Sequence, residues 1–341
     1  MAGASGAPPS YFLPYEVTVV DGDSKGFEPY SGGEKGEDLT DRLTDEALRF
    51  IEDRKDGPFL LVLAHYAVHT PIQAPEELSE KYRAKTREQG IPEGGPRSDR
   101  DVKVDNTGQY KTVQNNAVYA GMVESVDANL GRIIDRLEEL GLTENTVLIL
   151  SSDHGGLSSR GLESKRELAT SNLPYRHGKG WLYDGGLRVP LIVKWPGKVQ
   201  AGAVSPVQVT GTDHYPTLLE LAGVPLRPEQ HSDGRSYSPA LSGETYRRDP
   251  MFFHSALGRP AQTGDTRSSA VIHGDWKLIQ WYSLEDESIE RTELFQISTD
   301  PGEQINRYAE ETAKAQELES MLNEWKNSVN ARLGRFKRGG V

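Results

Sequence analysis

An amphipathic helix followed closely by an all-apolar strand constrains the fold more than any other sequence feature. Eight apolar residues from Met122 to Leu140 recur at helical spacing, and Gly141 ends the pattern. The run at residues 146–150 (TVLIL) comes next and leads into Ser-Ser-Asp-His-Gly-Gly at 151–156. All-apolar strands are typical of parallel sheets that are covered on both faces. The segment therefore predicts a layered α/β fold with ligand-binding groups at the strand's carboxyl end.

Further segments extend this prediction along the chain. Residues 40–54 have a helical pattern with Thr40 as a candidate N-cap, and the apolar runs 58–63 and 189–195 (VPLIVKW) predict buried strands. We therefore expect a mostly parallel sheet flanked by helices over residues 1–247.

The pattern changes after residue 247. Short alternating strands at 269–273, 276–282 and 293–297 are separated by Gly-Asp and acidic turns, and an amphipathic helix follows at 310–333. Residues 248–341 are thus predicted to form a small antiparallel α+β subdomain.

Composition excludes several classes of protein. The chain has no cysteine, which rules out disulfides, thiolate metal sites and a cysteine nucleophile within it. The net charge is -12, and only the tail at 332–338 is strongly basic, so nucleic-acid binding is not expected. No run approaches the roughly 18 apolar residues of a membrane span. Residues 1–15 lack the basic and apolar regions of a signal peptide, which predicts a cytoplasmic location for the chain as written.

Three loops carry the chemistry. His69 lies in HYAVHTP after the first apolar run, Asp153 and His154 follow the strand at 146–150, and Lys179 stands between glycines in RHGKGW. A single histidine at a strand end is more often packed than functional. The combination of imidazole, carboxylate and lysine on separate loops instead indicates a pocket for an anion and a metal ion.

These residues resemble the type I sulfatases, the formylglycine-dependent arylsulfatase family. The resemblance rests on HYAVHTP, YAGMVESVDANLGRIIDRLEELGLTENTVLILSSDHGG, SNLPYRHGKGWLYDGGLR, VPLIVKWPG and DHYPTLLELAGVP, and near the end on DGRSYSPALSG, GDWKLI and ELFQISTDPGE. The order and spacing of these stretches cover nearly the whole chain from Tyr11 onward.

The resemblance implies an alkaline-phosphatase-like fold and a set of roles. Asp153 and His154 match part of the family's metal site, usually for Ca²⁺, with Mg²⁺ and Zn²⁺ as alternatives. Lys179 matches the lysine that contacts the sulfate and the leaving-group oxygen, and His69 matches a substrate-contacting histidine that donates a proton to the departing alkoxide. His177 either contacts substrate or packs inside the protein. The implied substrate is a sulfated saccharide or an aryl sulfate, and the implied location is periplasmic or extracellular.

The family's nucleophile has no counterpart in these residues. Sulfatases make formylglycine from the first residue of Cys/Ser-x-Pro-Ser-Arg, and the sequence contains no such motif. We therefore interpret the chain as the later two-thirds of a sulfatase, with an incomplete fold and no turnover by itself. Two other hypotheses stay open, a zinc phosphoesterase of the alkaline-phosphatase superfamily and a non-catalytic protein that binds sulfated ligands.

The loops at 90–109 and 157–176 are the predicted specificity loops. Their basic residues suit a polyanionic saccharide, although a solvated loop would have the same composition. These residues are Arg97, Arg100, Arg160, Lys165 and Arg166.

Overall fold

The computed structural model of the protein describes residues 10–13, 15–18, 24–26, 33–94, 101–105 and 108–334. The strands are β1 (Glu16–Thr18), β2 (Ser24–Gly26), β3 (Val102–Asp105), β4 (Gly108–Lys111), β5 (Leu148–Ser151), β6 (Ser159–Gly161), β7 (Leu191–Lys194), β8 (Met251–Ser255), β9 (Ser268–His273), β10 (Trp276–Tyr282) and β11 (Ile289–Gln296). The α-helices are α1 (Leu39–Arg54), α2 (Glu76–Glu88), α3 (Ala117–Glu139), α4 (Asp184–Leu187), α5 (His214–Leu221), α6 (Ser238–Leu241) and α7 (Thr312–Ser328).

The chain divides into two compact units. The first comprises Met1–Gly95 and Gln114–Thr146, and the second comprises Pro96–Val113 and Val147–Val341. The boundary predicted near residue 247 stays a prediction.

The first unit contains the long helix read from the sequence. Helix α3 packs against α1 and α2, and the Asn116 side chain caps it by accepting a hydrogen bond from the Tyr119 amide at 3.0 Å. The cap of α1 is Asp38, whose carboxylate accepts from the Thr40 amide at 2.6 Å. The prediction of Thr40 as N-cap was wrong, because the acidic side chain two residues earlier already reaches that amide.

The mostly parallel sheet is not confirmed. Every strand pair among the described residues is antiparallel, in sheets of order β1-β2, β3-β4-β6, β5-β7 and β11-β10-β9-β8. Strands β5 and β7 were both predicted, but they pair with each other in opposite directions, Leu148 with Lys194 and Ser151 with Leu191. An apolar run indicates that a strand is covered, but it carries no information on the direction of its neighbour.

The predicted strand at 58–63 does not form in the described part of the chain. The segment alternates between half-buried and exposed residues, and Leu60 and Val62 are 67% and 76% exposed. Alternation of this kind is the pattern of an extended chain that is covered on one face only. Burial on both faces, which the apolar run implied, was therefore the wrong expectation.

The antiparallel C-terminal sheet is confirmed. In β9 and β10, neighbouring side chains enter opposite cores: Val271 and Leu278 pack with Leu318 and Leu322 of α7, whereas Ile279 packs in a second core on the other face. The second core also contains Trp181, Leu182 and Tyr183 from the loop that follows the predicted site lysine. One face of the sheet thus packs against that loop.

Within the described residues, the helices are too short or too polar to cross a bilayer.

Candidate functional site

The turn after β5 holds Asp153 and His154 close together at the protein surface. The Asp153 side chain is 82% exposed and its Oδ1 accepts from the His154 amide at 3.0 Å. The His154 Nδ1 lies 2.9 Å from the Gly155 carbonyl oxygen, and its Nε2 lies 3.2 Å from Asp153 Oδ2. Because a carbonyl only accepts, the proton of a neutral His154 ring belongs on Nδ1. Nε2 and Oδ2 then face each other as two acceptors, and a cation between them would relieve the conflict.

This donor pair fits a divalent metal as two of its ligands. A neutral imidazole whose other nitrogen donates to a backbone carbonyl is the usual form of a metal-bound histidine. Within the described chain, however, no group of three or more His, Asp or Glu side chains is placed to hold an ion. Calcium takes six to eight oxygen ligands, so Asp153 and His154 supply only a part of such a site.

The glycines after His154 allow the turn to contact the Lys179 loop, which runs from Arg176 to Asp184. The Gly155 amide donates to the Gly186 carbonyl at 2.9 Å, and a Cβ at Gly155 would collide with the Gly185 carbonyl. The Lys179 amide donates to the Gly156 carbonyl at 3.1 Å. Close backbone approach, for which glycine is suited, therefore fixes the Asp-His turn against the lysine loop.

Asn172 joins the same segments from a third side. Its side-chain amide lies 3.0 Å from the Gly156 carbonyl and 3.1 Å from the carbonyls of both His177 and Gly185. One half-buried NH₂ group thus bridges the ends of the Lys179 loop and the turn after β5. Sequence analysis missed Asn172 as a functional candidate, although it lies in the SNLPYRHGKGW stretch.

His177 is buried at 1% exposure and is held by aromatic and polar neighbours. Its ring stacks on Trp181, with centroids 3.7 Å apart and planes 11° from parallel, and its Nδ1 lies 3.1 Å from Ser159 Oγ. Burial lowers its pKa to about 4, although Asp105, at 3.3 Å from Nε2, acts in the opposite direction. The packing supports a structural role for His177, and contact with substrate stays a prediction.

Arg176 fixes the start of the loop. Its guanidinium makes a bidentate pair with Asp105, with Nε to Oδ2 at 2.5 Å and Nη2 to Oδ1 at 2.8 Å, and stacks over the Tyr183 ring at 4.1 Å. Its Nη1 also donates to the Glu303 carbonyl at 2.9 Å. Bidentate arginine pairs of this kind restrict both partners geometrically. No sequence pattern marked Asp105 as the partner.

A buried ion network fixes the end of the loop. Lys277 Nζ donates to the carboxylates of Asp184 and Glu303, the latter at 2.8 Å, and all three side chains are almost fully buried. Glu303 also accepts from the Asp184 amide at 2.6 Å. Burial opposes the charge on Lys277, but the two carboxylates outweigh it and raise its pKa. The GDWKLI and TDPGE stretches, which supply Lys277 and Glu303, therefore stabilise the end of the Lys179 loop although they lie far from it in the sequence.

Lys179 itself is half-buried, with charged side chains of both signs nearby. Burial lowers its pKa, as do Arg166 and Arg259, whereas Asp153 acts in the opposite direction. Backbone hydrogen bonds thus hold the turn with Asp153 and His154 against the loop with Lys179 in the second unit. Convergence of their side chains on one pocket stays a prediction.

His69 belongs to the first unit, where backbone groups orient its ring. Its Nδ1 lies 2.9 Å from the Thr70 carbonyl, and its own carbonyl accepts from the Tyr11 hydroxyl at 2.9 Å. The Nδ1 proton of the neutral ring therefore points toward the backbone. Convergence of His69 with Lys179 stays a prediction.

A family model for sulfatases matches residues 8–224, more than half of the chain. The chain belongs to the sulfatase family. The model for the C-terminal part of N-sulphoglucosamine sulphohydrolase matches residues 176–330 and so covers the antiparallel sheet and its helix. Members of the sulfatase family are sulfuric ester hydrolases that generally use a divalent metal and formylglycine.

Individual relatives agree with this assignment. A sulfatase of Formosa agariphila is 32% identical over 95% of this chain and 57% of its own length, and human steryl-sulfatase is 33% identical over 64% of this chain and 32% of its own. The solved structure of Ps i-CgsB has a TM-score of 0.64 at 27% identity, covering 86% of this chain and 56% of that protein. The chain thus spans between about a third and three-fifths of the length of these relatives.

Proposed function

We propose that the chain forms the part of a sulfatase active site that binds the sulfate group and the leaving oxygen of a sulfate ester. The observation that carries the proposal is the position of Lys179, half-buried and hydrogen-bonded through its backbone to the turn that holds Asp153 and His154. A cation in a partly desolvated site interacts with an anion more strongly than one in water.

Lys179 acts on the ester by electrostatics. Cleavage of the S–O bond gathers negative charge on the bridging oxygen, and the Lys179 ammonium stabilises that charge as it develops. Its loop is held by Arg176 and Lys277, so little reorganisation is needed when the substrate binds. The resemblance to sulfatases assigns His69 the role of donating a proton to the departing alkoxide.

Asp153 and His154 would hold a divalent metal as two of its ligands, and Ca²⁺ is the ion that we propose. When bound, the ion would offset the negative charge of the sulfate group.

The 341 residues contain no match to the nucleophile motif of the family. Because the chain contains neither cysteine nor a Ser-x-Pro-Ser-Arg motif, none of its residues can become formylglycine by the family's route. We expect the 341-residue chain to bind sulfate esters without turning them over. The substrate that we propose is a sulfated saccharide or an aryl sulfate; Ps i-CgsB, for comparison, was crystallised with k-i-k-neocarrahexaose.

Binding and turnover together test this function. Calorimetric titration of the chain with galactose 6-sulfate should show binding that Lys179→Ala weakens about tenfold, since a hydrogen bond to a charged group contributes about 1.5–3 kcal/mol. Lys198→Ala, an exposed lysine in the same unit, is the matched control and should bind as the parent does. The chain should release no 4-nitrophenol from 4-nitrophenyl sulfate above the buffer rate.

Two results would contradict the proposal. Equal affinity of the parent and Lys179→Ala would remove Lys179 from the site. Turnover of 4-nitrophenyl sulfate by the chain would show that another nucleophile operates, such as the activated water of the zinc phosphoesterases.

A further inference from the structure

Two arginines lie beside Lys179 without a role in the function described above. The Arg259 guanidinium lies against the Gly180 backbone, where a Cβ on Gly180 would come within 2.6 Å of Arg259 Nη2. Gly180 has a φ of +98°, a conformation that glycine adopts without strain. A glycine at this position therefore leaves room for the arginine next to the site lysine.

Arg259 is held at its backbone while its guanidinium is weakly paired. Its amide donates to the Asp265 carbonyl at 2.9 Å, and its Nε lies 3.7 Å from Asp265 Oδ1. Asp265 also accepts from Thr263 Oγ1. Within the described chain the Arg259 guanidinium makes no hydrogen bond, and its side chain is 44% exposed.

Arg166 approaches the same place from the predicted specificity loop at 157–176. Its carbonyl accepts from Arg160 Nη1 at 3.3 Å, and its amide donates to Ser164 Oγ at 3.3 Å, so its backbone is anchored. Its guanidinium is half-buried and forms no ion pair with any described residue. Arg160 itself is buried at 4% exposure and pairs with Gln109, which makes it a support for the loop and not a ligand.

The three cations are close enough to repel one another. Besides burial, Arg166 and Arg259 each lower the pKa of Lys179, and Arg259 lowers that of Arg166. This concentration of positive charge occurs in a chain whose net charge is -12. Two partly exposed guanidiniums beside the lysine proposed to bind sulfate provide more positive charge than a single sulfate ester needs.

We propose that Arg166 and Arg259 form a second anion-binding subsite beside Lys179, which recognises a further sulfate or carboxylate group on a polyanionic saccharide. The inference rests on the proposed function, because Lys179 must hold the first sulfate. Guanidinium groups bind both anions through paired N–H donors, so the geometry selects an oxyanion and leaves its source open.

Calorimetric titration of the 341-residue chain with three disaccharides tests this subsite. One carries a single 6-sulfate, the second carries an additional sulfate, and the third carries a uronic-acid carboxylate in place of the additional sulfate. The parent chain should bind one or both of the dianionic ligands about tenfold more tightly than the monosulfated one, and the ligand that gains identifies the preferred anion.

Arg259→Gln and Arg166→Gln should each remove most of that preference and lower the affinity for the monosulfated disaccharide by a clearly smaller factor. Arg227→Gln, an exposed arginine of the same unit, is the charge-matched control and should keep the preference. Circular dichroism of each variant verifies that it folds, and Arg259→Lys should retain a part of the preference through its charge.

The outcomes separate the two proposals. If the chain binds the monosulfated ligand through Lys179 but shows no preference for a second anion, the subsite is overturned and the proposed function stands. A preference lost equally in Arg227→Gln would show a general charge effect and would also overturn the subsite. Binding of none of the three ligands would overturn both proposals.

Discussion

The Lys179 loop and the Asp153–His154 turn are neighbours in one compact unit, but they are built very differently. The loop begins at Arg176 and ends at Asp184, and both ends are tied into buried ion pairs. The turn carries an 82% exposed carboxylate and an imidazole that is 36% exposed. The chain thus pre-organises Lys179, the lysine proposed to bind sulfate, through its own core, whereas its two candidate metal ligands are held mainly by local backbone contacts.

This difference follows from what each group has to do. A lysine that stabilises charge works best when its surroundings are fixed before the substrate arrives. A metal ligand is positioned in large part by the ion and by the other ligands, and Asp153 and His154 are proposed as only two of those. Substitutions around the loop should therefore affect folding strongly, and those in the turn should affect it little.

The largest effect is expected for Lys277→Met. The substitution leaves the buried carboxylates of Asp184 and Glu303 without their cation, and removal of one partner from a buried ion pair typically costs about 3–5 kcal/mol. Urea unfolding followed by tryptophan fluorescence measures the loss. The control is Lys198→Met, at an exposed position, which should change the free energy of unfolding by less than about 0.5 kcal/mol. Equal unfolding midpoints for the two variants would show that the ion network does not hold the loop.

His177 should make stability depend on pH. Its pKa is about 4 in the folded chain and about 6.5 when unfolded, so the unfolded state binds the proton more readily between these values. The contribution of His177 to the free energy of unfolding is therefore fully present above pH 6.5 and is lost as the pH drops toward 4. The total loss is about 3 kcal/mol, at 1.36 kcal/mol per pKa unit. Unfolding curves at several pH values measure this slope. His177→Phe keeps a ring against Trp181 and should flatten it; an unchanged slope in that variant would assign the dependence to other groups.

Gly155→Ala tests the close approach between turn and loop. The added Cβ collides with the Gly185 carbonyl, so the two backbones must separate, at a cost of about 1–3 kcal/mol. Gly211→Ala is the matched control, because a Cβ there has no neighbour within 4 Å and φ is not positive. A midpoint for Gly155→Ala equal to that of Gly211→Ala would contradict the contact.

The smallest effect is expected for Asp153→Asn. The exposed carboxylate contributes little to the core, so the free energy of unfolding should change by less than about 0.5 kcal/mol. Chemical denaturation of the variant beside the parent measures the change. A loss of several kcal/mol would mean that the turn is as integral to the fold as the loop, and the contrast between them would fail.

Much of the local structure could be read from the residues alone. Helix α3 and the strands β9 and β10 formed where periodicity placed them, because an apolar face at helical or alternating spacing is buried by a single neighbouring element. Strand β8 was not predicted, and β11 begins four residues before the predicted start at 293. The candidate site residues His69, Asp153, His154 and Lys179 were proposed because the order of short motifs in the chain is specific, and their roles stay predictions. The approach of Asp153 toward Lys179 follows from glycines that stand directly beside them in the sequence.

Only the tertiary structure decided which distant residues hold the site. Asp105 pairs with Arg176 across 71 positions, and Lys277 pairs with Asp184 across 93, and no local pattern marks such partners. Strand direction was likewise undetermined, since β5 and β7 have the composition of parallel strands and pair antiparallel. Sequence determines local shape and the residue types that chemistry requires. Burial and charge pairing depend on the neighbours that folding brings together. Such neighbours place Arg259 beside Gly180 and bury His177 against Trp181.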